Sequence, residues 1–124
     1  MNKKIKSFTD LTTWQEGHSL VLMVYKFIED FPKKENFTII PQMQRCAISI
    51  TSNIAEGFSR RGVKEKIQFY YISLGSLTEL HNQLIISNGL NYINAEKFKL
   101  IIEQMTKVQK LLNGLIKSAR LLNT

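Results

Sequence analysis

Apolar residues recur every three or four positions in four long stretches of the chain, which is the spacing of one face of an α-helix. The stretches cover about Thr13–Phe31, Pro41–Glu56 and Val63–Ser87, and a fourth begins at Asn94. No sustained alternation of apolar and polar residues is present, so strands are not expected. The pattern predicts an all-α chain. Short connections between long helices favour an antiparallel up-down-up-down four-helix bundle.

Residues at the ends of these stretches predict the helix caps. Thr13 and Glu16 have the spacing of a capping box, in which each side chain bonds the other residue's backbone. Pro41 suits the first turn of a helix, where its missing N–H is not needed. We expect Gly57 to be a C-cap and Asn94 to be an N-cap.

The apolar stripes also predict which surfaces are buried. The first helix carries two adjacent stripes, Trp14, His18, Val21, Tyr25, Ile28 and Leu20, Val24, Phe27, Phe31. Two stripes exceed the needs of one bundle core, so we expect the surplus to be buried between subunits. In the third helix the rhythm allows Tyr70 or Tyr71, and Leu80 or His81, as core positions. Gly75 in mid-helix costs about 1 kcal/mol relative to alanine, so we expect a close approach by another helix there.

The 124 residues fit one domain spanning 1–124, with residues 1–10 as a loosely ordered N-terminal arm. The single cysteine, Cys46, has no partner in the chain for a disulfide. No apolar run approaches the roughly 20 residues that cross a bilayer, and no apolar segment of the signal-peptide type follows the N-terminus. We therefore expect a cytoplasmic protein without membrane contact.

Positive charge is the main compositional feature. The chain has 17 Lys and Arg against 10 Asp and Glu, for a net charge of +7. The excess is spread along the sequence, with +3 in residues 1–62 and +4 in residues 63–124. A basic protein attracts polyanions, because neutralising phosphates releases counterions. The alternative is that the charge serves solubility alone.

Constellations for enzymatic chemistry are absent from the sequence. Glu79 and His81 are two residues apart and so point to different faces of a helix, which does not suit the Glu-x-x-His pairs of di-iron bundles. Cys46 follows Arg45, and a cation beside a thiol lowers its pKa. A cysteine inside a helix is more often a small core residue. We expect no metal, no other cofactor and no enzymatic activity.

A polar stripe runs along the second helix beside its apolar face. Its members recur every three or four residues: Gln42, Arg45, Ser49, Asn53 or Ser52, and Glu56. Amides and small hydroxyl residues suit a packed polar interface more than a free surface. We expect Arg45 and Glu56 to be largely buried, with Glu79 as the best-placed partner for Arg45. The alternative is an ordinary solvated face.

Two groups of cations are candidates for binding phosphates. One surrounds the turn between the second and third helices, and the other lies on the fourth helix. The candidate residues are Arg60, Arg61, Lys64, Lys66, Lys107, Lys110 and Lys117. Phosphate contacts of this kind bind without reading the base sequence. The alternative is a solvated rim.

Ordered motifs over about residues 8–93 resemble a known family. The run from Gln42 to Gly57, ending in Asn-Ile-Ala-Glu-Gly and followed by Arg60, resembles the four-helix-bundle proteins related to the 23S rRNA intervening-sequence protein. Phe8–Gln15 is similar to the family's opening motif, as Leu74–Leu80 is to its third-helix motif.

The resemblance implies a bundle that assembles into a ring, typically a pentamer, without enzymatic activity. The family's fold is also similar to that of the barrel-shaped accessory factor of diversity-generating retroelements, which binds reverse transcriptase and nucleic acid. The expected partners are other copies of the chain, RNA or DNA, and a nucleic-acid-processing protein. The expected function is binding of RNA or a ribonucleoprotein through basic surface. The alternative is an oligomeric scaffold that binds proteins and no nucleic acid.

Overall fold

The computed structural model describes residues 4–122 and contains four long helices, with no strand in that range. The helices are α1 (Thr12–Phe27), α2 (Ile39–Ser59), α3 (Val63–Gly89) and α4 (Ala95–Leu121). Three short 3-10 turns, Phe8–Asp10, Ile28–Asp30 and Lys33–Glu35, precede α1 and join it to α2. The all-α prediction is confirmed.

The core lies between the four helices, and every helix supplies side chains with no exposed surface. The larger apolar ones are Leu20 and Val24 of α1; Met43, Ile50 and Ile54 of α2; Leu80 and Leu84 of α3; and Ile101, Val108 and Leu112 of α4. In α1 the buried residues come mainly from the second predicted stripe. Of the first stripe, His18 and Tyr25 are exposed. The main surplus of exposed apolar side chains lies on α3 instead, at Tyr71, Ile72, Ile85 and Ile86.

Three hydrogen bonds between helices indicate which helix ends lie together. Lys66 near the start of α3 donates to the carbonyl of Phe58 near the end of α2, at 2.7 Å. Thr13 near the start of α1 donates to the carbonyl of Leu111 in the second half of α4, at 3.4 Å. Arg120 at the end of α4 contacts Tyr71 in the first half of α3. The end of α2 and the start of α3 therefore share one part of the molecule with the end of α4.

The N-terminal cap differs from the prediction. Thr13 and Glu16 form no capping box, because α1 begins at Thr12 and the buried Thr13 hydroxyl bonds to α4. The capping box is instead built by Ser7 and Asp10 around the first 3-10 turn. Residues 8–10 of the predicted loose arm are thus helical and pack on α1 and α2, while residues 1–3 lie outside the described residues.

The predicted caps of the other helices have mixed outcomes. Asn94 is an N-cap as predicted, since its side-chain oxygen accepts from the backbone N–H of Lys97 at 2.8 Å. The prediction for Gly57 was wrong, because α2 continues through it to Ser59. Pro41 is the third residue of α2, still within the turn whose N–H groups lack helical partners.

Gly57 and Gly75, two of the glycines inside the helices, have opposite surroundings. A Cβ atom on Gly57 would lie 2.5 Å from Cε1 of Tyr70, so the glycine permits α3 to approach α2 closely. A Cβ atom on Gly75 would meet nothing within 4 Å, so the predicted close approach at Gly75 was wrong.

We predict opposite effects for Gly57→Ala and Gly75→Ala. The first should lower the free energy of unfolding by about 1–3 kcal/mol, because the buried Tyr70 ring has no room to move aside. The second should raise it by up to about 1 kcal/mol, because alanine restricts the unfolded chain and favours the helix. Urea unfolding followed by circular dichroism at one protein concentration measures both. A Gly57→Ala variant as stable as the wild type would contradict the close contact.

Candidate nucleic-acid interface

The turn between α2 and α3 carries the first group of predicted cations. Arg60 ends α2, with its backbone N–H bonded to the carbonyl of Gly57 at 3.2 Å. Its guanidinium pairs with Glu56 at 3.2 Å and lies 4.9 Å from the ring centre of Phe69. Both ionic side chains are about half exposed, so the pair is a weak, solvent-screened one.

Lys66 is held by the end of α2. Its ammonium donates to the carbonyls of Phe58 and Gly57, which lack partners inside the helix. Partial burial lowers its pKa, because the charged form loses hydration. Lys66 therefore acts first as a cap for α2. Arg61 and Lys64 are exposed, and neither has an ionic partner among the described residues.

The α4 cations divide in the same way. Lys107 pairs with Glu16 of α1 at 3.6 Å. Lys110 and Lys117 are exposed and have no ionic partner in residues 4–122. They are seven residues apart and therefore share one face of α4.

Tyr71 and Arg120 connect the two groups. Arg120 Nη2 donates to Tyr71 Oη at 2.5 Å, and the guanidinium carbon lies 5.8 Å from the ring centre. Tyr71 is one heptad after Lys64 on α3, and Arg120 is one turn after Lys117 on α4. We call the surface formed by Arg60, Arg61, Lys64, Lys117, Arg120 and Tyr71 the basic end. Sequence reasoning left Tyr71 as a possible core residue, but Tyr70 is the buried one.

The middle of the polar stripe meets α3. Ser49 Oγ and Ser76 Oγ are 2.7 Å apart, and Asn53 Nδ2 donates to the carbonyl of Ser49 at 2.8 Å. A groove of about 350 Å³ lies along this α2–α3 contact. Its lining comprises Gln42, Arg45, Cys46, Ser49, Ser76, Glu79 and Gln83.

The expectation for Arg45 and Glu56 was wrong within the single chain, because both side chains are exposed. None of the ion pairs in residues 4–122 joins Arg45 to Glu79. Glu79 instead accepts a hydrogen bond from the thiol of Cys46, and Glu56 pairs with Arg60. Helical spacing predicts which residues share a face of α2, but it does not predict how much of each side chain on that face is exposed.

The thiol of Cys46 is poorly suited to nucleophilic chemistry. Sγ donates to Glu79 Oε2 at 3.1 Å and accepts from Gln83 Nε2 at 3.4 Å. Burial, followed by the hydrogen bond to Glu79, raises the pKa of Cys46 from 9.0 to about 11. The neutral thiol is therefore the dominant form near pH 7, and it is a much weaker nucleophile than the thiolate.

The described residues contain neither a cluster that would hold a metal ion nor a helix that would span a membrane. No three His, Cys, Asp or Glu side chains cluster in residues 4–122 in a way that would hold a metal ion. His18 stacks on Trp14, with ring centres 4.9 Å apart. None of the helices in the same range is both long enough and apolar enough to cross a bilayer.

Comparison with known proteins places this all-α chain in a family. Residues 9–114 match the family model described as 23S rRNA-intervening sequence protein, and the chain belongs to that family. A crystal structure of a protein with unknown function from the S23 ribosomal protein family of Bacteroides thetaiotaomicron VPI-5482 has the same fold. It is 24% identical, with a TM-score of 0.76 over 86% of this chain and 99% of that one. No curated protein matches the sequence.

We predict that native Cys46 reacts slowly with iodoacetamide at neutral pH. Its alkylation rate should rise with pH and reach half its maximum near pH 11, because the raised pKa keeps the thiol protonated until then. The protein unfolded in guanidinium is the control and should reach half-maximum near pH 9. The same shift lowers folding stability as pH rises from 9 towards 11, since the unfolded thiol releases its proton first. A native midpoint below pH 9 would instead indicate an activated thiol.

Proposed function

We propose that the protein is a non-enzymatic homo-oligomer that binds RNA, or an RNA–protein complex, through the basic end. The observation that carries the proposal is the junction of Tyr71 and Arg120, which unites cations from separate parts of the sequence. Charge that is spread along the chain thereby becomes concentrated in space. A concentrated positive field raises the local concentration of a polyanion and speeds its association.

The distribution of acidic residues strengthens the proposal. At the other end of the bundle, Asp30 pairs with Lys97 at 3.1 Å, and Glu29 and Glu35 stand close in sequence to Lys33. Carboxylates and cations thus lie together there. Around the turn of the basic end, two carboxylates, Glu56 and Glu65, stand close in sequence to four cations, Arg60, Arg61, Lys64 and Lys66. Because cations are in excess at that turn, exposed ones such as Arg61 and Lys64 remain available to phosphates.

The family supports the same class of ligand. Its description refers to an intervening sequence of 23S rRNA, so an RNA or ribonucleoprotein partner is the natural candidate for this chain. The absence of an activated thiol at Cys46 agrees with a binding role. The likeness to the accessory factor of diversity-generating retroelements and the cytoplasmic location stay predictions.

The outer face of α2 and α3 is the surface through which we propose that copies of the chain associate. It carries four apolar side chains that are each about half exposed: Ile48 of α2, Ile72 and Ile86 of α3, and Leu90 directly after α3. Exposed apolar side chains beside polar groups are typical of protein interfaces. We propose that up-down-up-down bundles associate through this face into a ring, because repeated head-to-tail contacts close into rings. The polar stripe, including Gln42 and Arg45, would then be buried between copies.

The second candidate function is the binding of another protein, without nucleic acid, through the loop before α2. Phe37, in the loop before α2, is 94% exposed and is followed by the half-buried Ile39. An aromatic side chain of this exposure is a suitable anchor for another protein, such as a nucleic-acid-processing enzyme. A chain that forms oligomers but fails to bind RNA at low salt would favour this candidate.

We predict salt-dependent RNA binding that depends on the basic end. Four cations without ionic partners in residues 4–122 are replaced together. Three belong to the basic end, Arg61→Gln, Lys64→Gln and Lys117→Gln, and the fourth, Lys110→Gln, lies one heptad before Lys117 on the same face of α4. The control loses the same charge at the other end: Lys26→Gln, Lys33→Gln, Lys34→Gln and Lys99→Gln. Filter binding to a structured RNA from about 50 to about 200 mM salt should show a steep loss of wild-type affinity. The first variant should reduce the salt slope by about 0.7–0.9 per lost phosphate contact, and the control should keep most of it. Equal effects of the two variants would refute the assignment of the basic end.

We predict that the double variant Ile72→Asp, Ile86→Asp shifts the protein towards monomers, because each carboxylate would have to be desolvated in the interface. Leu22→Asp on α1 is the control for an exposed apolar position elsewhere, and it should leave the assembly unchanged. Sedimentation velocity at micromolar concentration measures the mass. A wild-type protein that is already monomeric would contradict the ring, and dissociation by Leu22→Asp alone would place the interface on α1.

A further inference from the structure

We infer that the basic end binds a single-stranded nucleic acid, with an unpaired base stacked against Tyr71 and Arg120. The inference rests on the proposed function and narrows its ligand from any polyanion to one whose bases are accessible. Its starting observation is that the cations of the basic end are accompanied by aromatic rings. Phosphate contacts need no rings, whereas base stacking does.

Tyr71 is exposed and held in place. The residue keeps 48% of its surface exposed, while its hydroxyl accepts the hydrogen bond from Arg120. The guanidinium also lies over the ring, at 5.8 Å from its centre. A ring that is already oriented loses little freedom when a base stacks on it. The planar guanidinium of arginine stacks on bases as aromatic side chains do.

Cations stand on both sides of this pair. Lys64 lies one heptad before Tyr71 on the same face of α3, about 10 Å along the helix axis. Lys117 lies one turn before Arg120 on α4. A strand whose base occupies Tyr71 therefore has ammonium groups available for the phosphates that flank it. A second pair, Arg60 over Phe69 at 4.9 Å, lies at the same end of the bundle.

A duplex fits this arrangement less well. Its bases are stacked on each other, and only their edges and the backbone are presented to a protein. Single strands, loops and ends present base faces, and aromatic rings beside cations bind them with little sequence preference. The ring at Tyr71 thus selects for unpaired nucleotides, while the surrounding cations would accept either form.

The experiment compares oligouridine and oligothymidine with a blunt duplex of two separate strands and the same total charge, using fluorescence anisotropy at low salt. Tyr71→Leu should weaken binding of both single strands about tenfold and leave duplex binding within about twofold, because a base–aromatic stack is lost. Tyr71→Phe should stay close to the wild type, since it retains the ring. Tyr25→Leu on α1 is the matched control for an exposed tyrosine elsewhere and should have no effect. Preference for RNA over DNA would indicate an added contact to the 2′-hydroxyl and is compatible with the inference.

Wild-type protein is also tested with a strand containing 2-aminopurine, whose fluorescence changes when the base stacks, so that the inference does not depend on the variants alone. If the wild type binds the strands and Tyr71→Leu binds them equally well, the inference is overturned while the proposed function stands. If the strand binds the wild type and the 2-aminopurine fluorescence does not change, the inference is likewise overturned and the proposed function stands. If the wild type binds none of the three probes at low salt, both the inference and the proposed function fail.

Discussion

The close packing of α2 against α3 is the constraint on which the rest of the structure depends. Gly57 leaves space for the buried ring of Tyr70, and Ser73 donates to the backbone carbonyl of Ile50 at 2.7 Å. Small side chains at these points allow the two backbones to approach. The turn between α2 and α3 is short, since α2 ends at Ser59 and α3 begins at Val63, so these two helix ends stay in contact. Lys66 can then reach back to the last carbonyls of α2 and fix the geometry of the basic turn.

The same proximity determines the chemistry of the α2–α3 groove. A helix pair this close brings polar side chains of the two helices within hydrogen-bonding distance of each other. Cys46 and Glu79 satisfy each other, as do Ser49 and Ser76. The hydrogen bond from the Cys46 thiol to Glu79 stabilises the neutral thiol instead of activating it. Ser49, in the middle of the polar stripe, packs against α3 within the chain, and by our proposal the exposed Gln42 and Arg45 pack between copies.

Sequence periodicity predicted the helices and most of the core, because apolar spacing directly reflects which face is buried. It missed the buried Ser73, Gln83 and Ser87 of α3, since a pattern of apolar residues does not register small or amide side chains that pack well. The mistakes at Thr13 and Gly57 have a related cause. A local motif does not register contacts with other helices. The Thr13 hydroxyl bonds to a carbonyl of α4, and Gly57 lies against the Tyr70 ring of α3.

The candidate site was the part least accessible from sequence, because it depends on which ends of the helices meet. The net charge is spread evenly over the two halves of the sequence, yet the contact of Tyr71 with Arg120 brings together the helices that carry Lys64 and Lys117, which are 53 positions apart. The basic end and the apolar outer face of α2 and α3 are distinct surfaces, so one can contact nucleic acid while the other contacts neighbouring copies. A five-membered ring built in this way would carry about +35 and repeat the basic end around its rim. A long strand that reaches several of these sites gains affinity without any new contact, whereas a short one gains nothing from the ring.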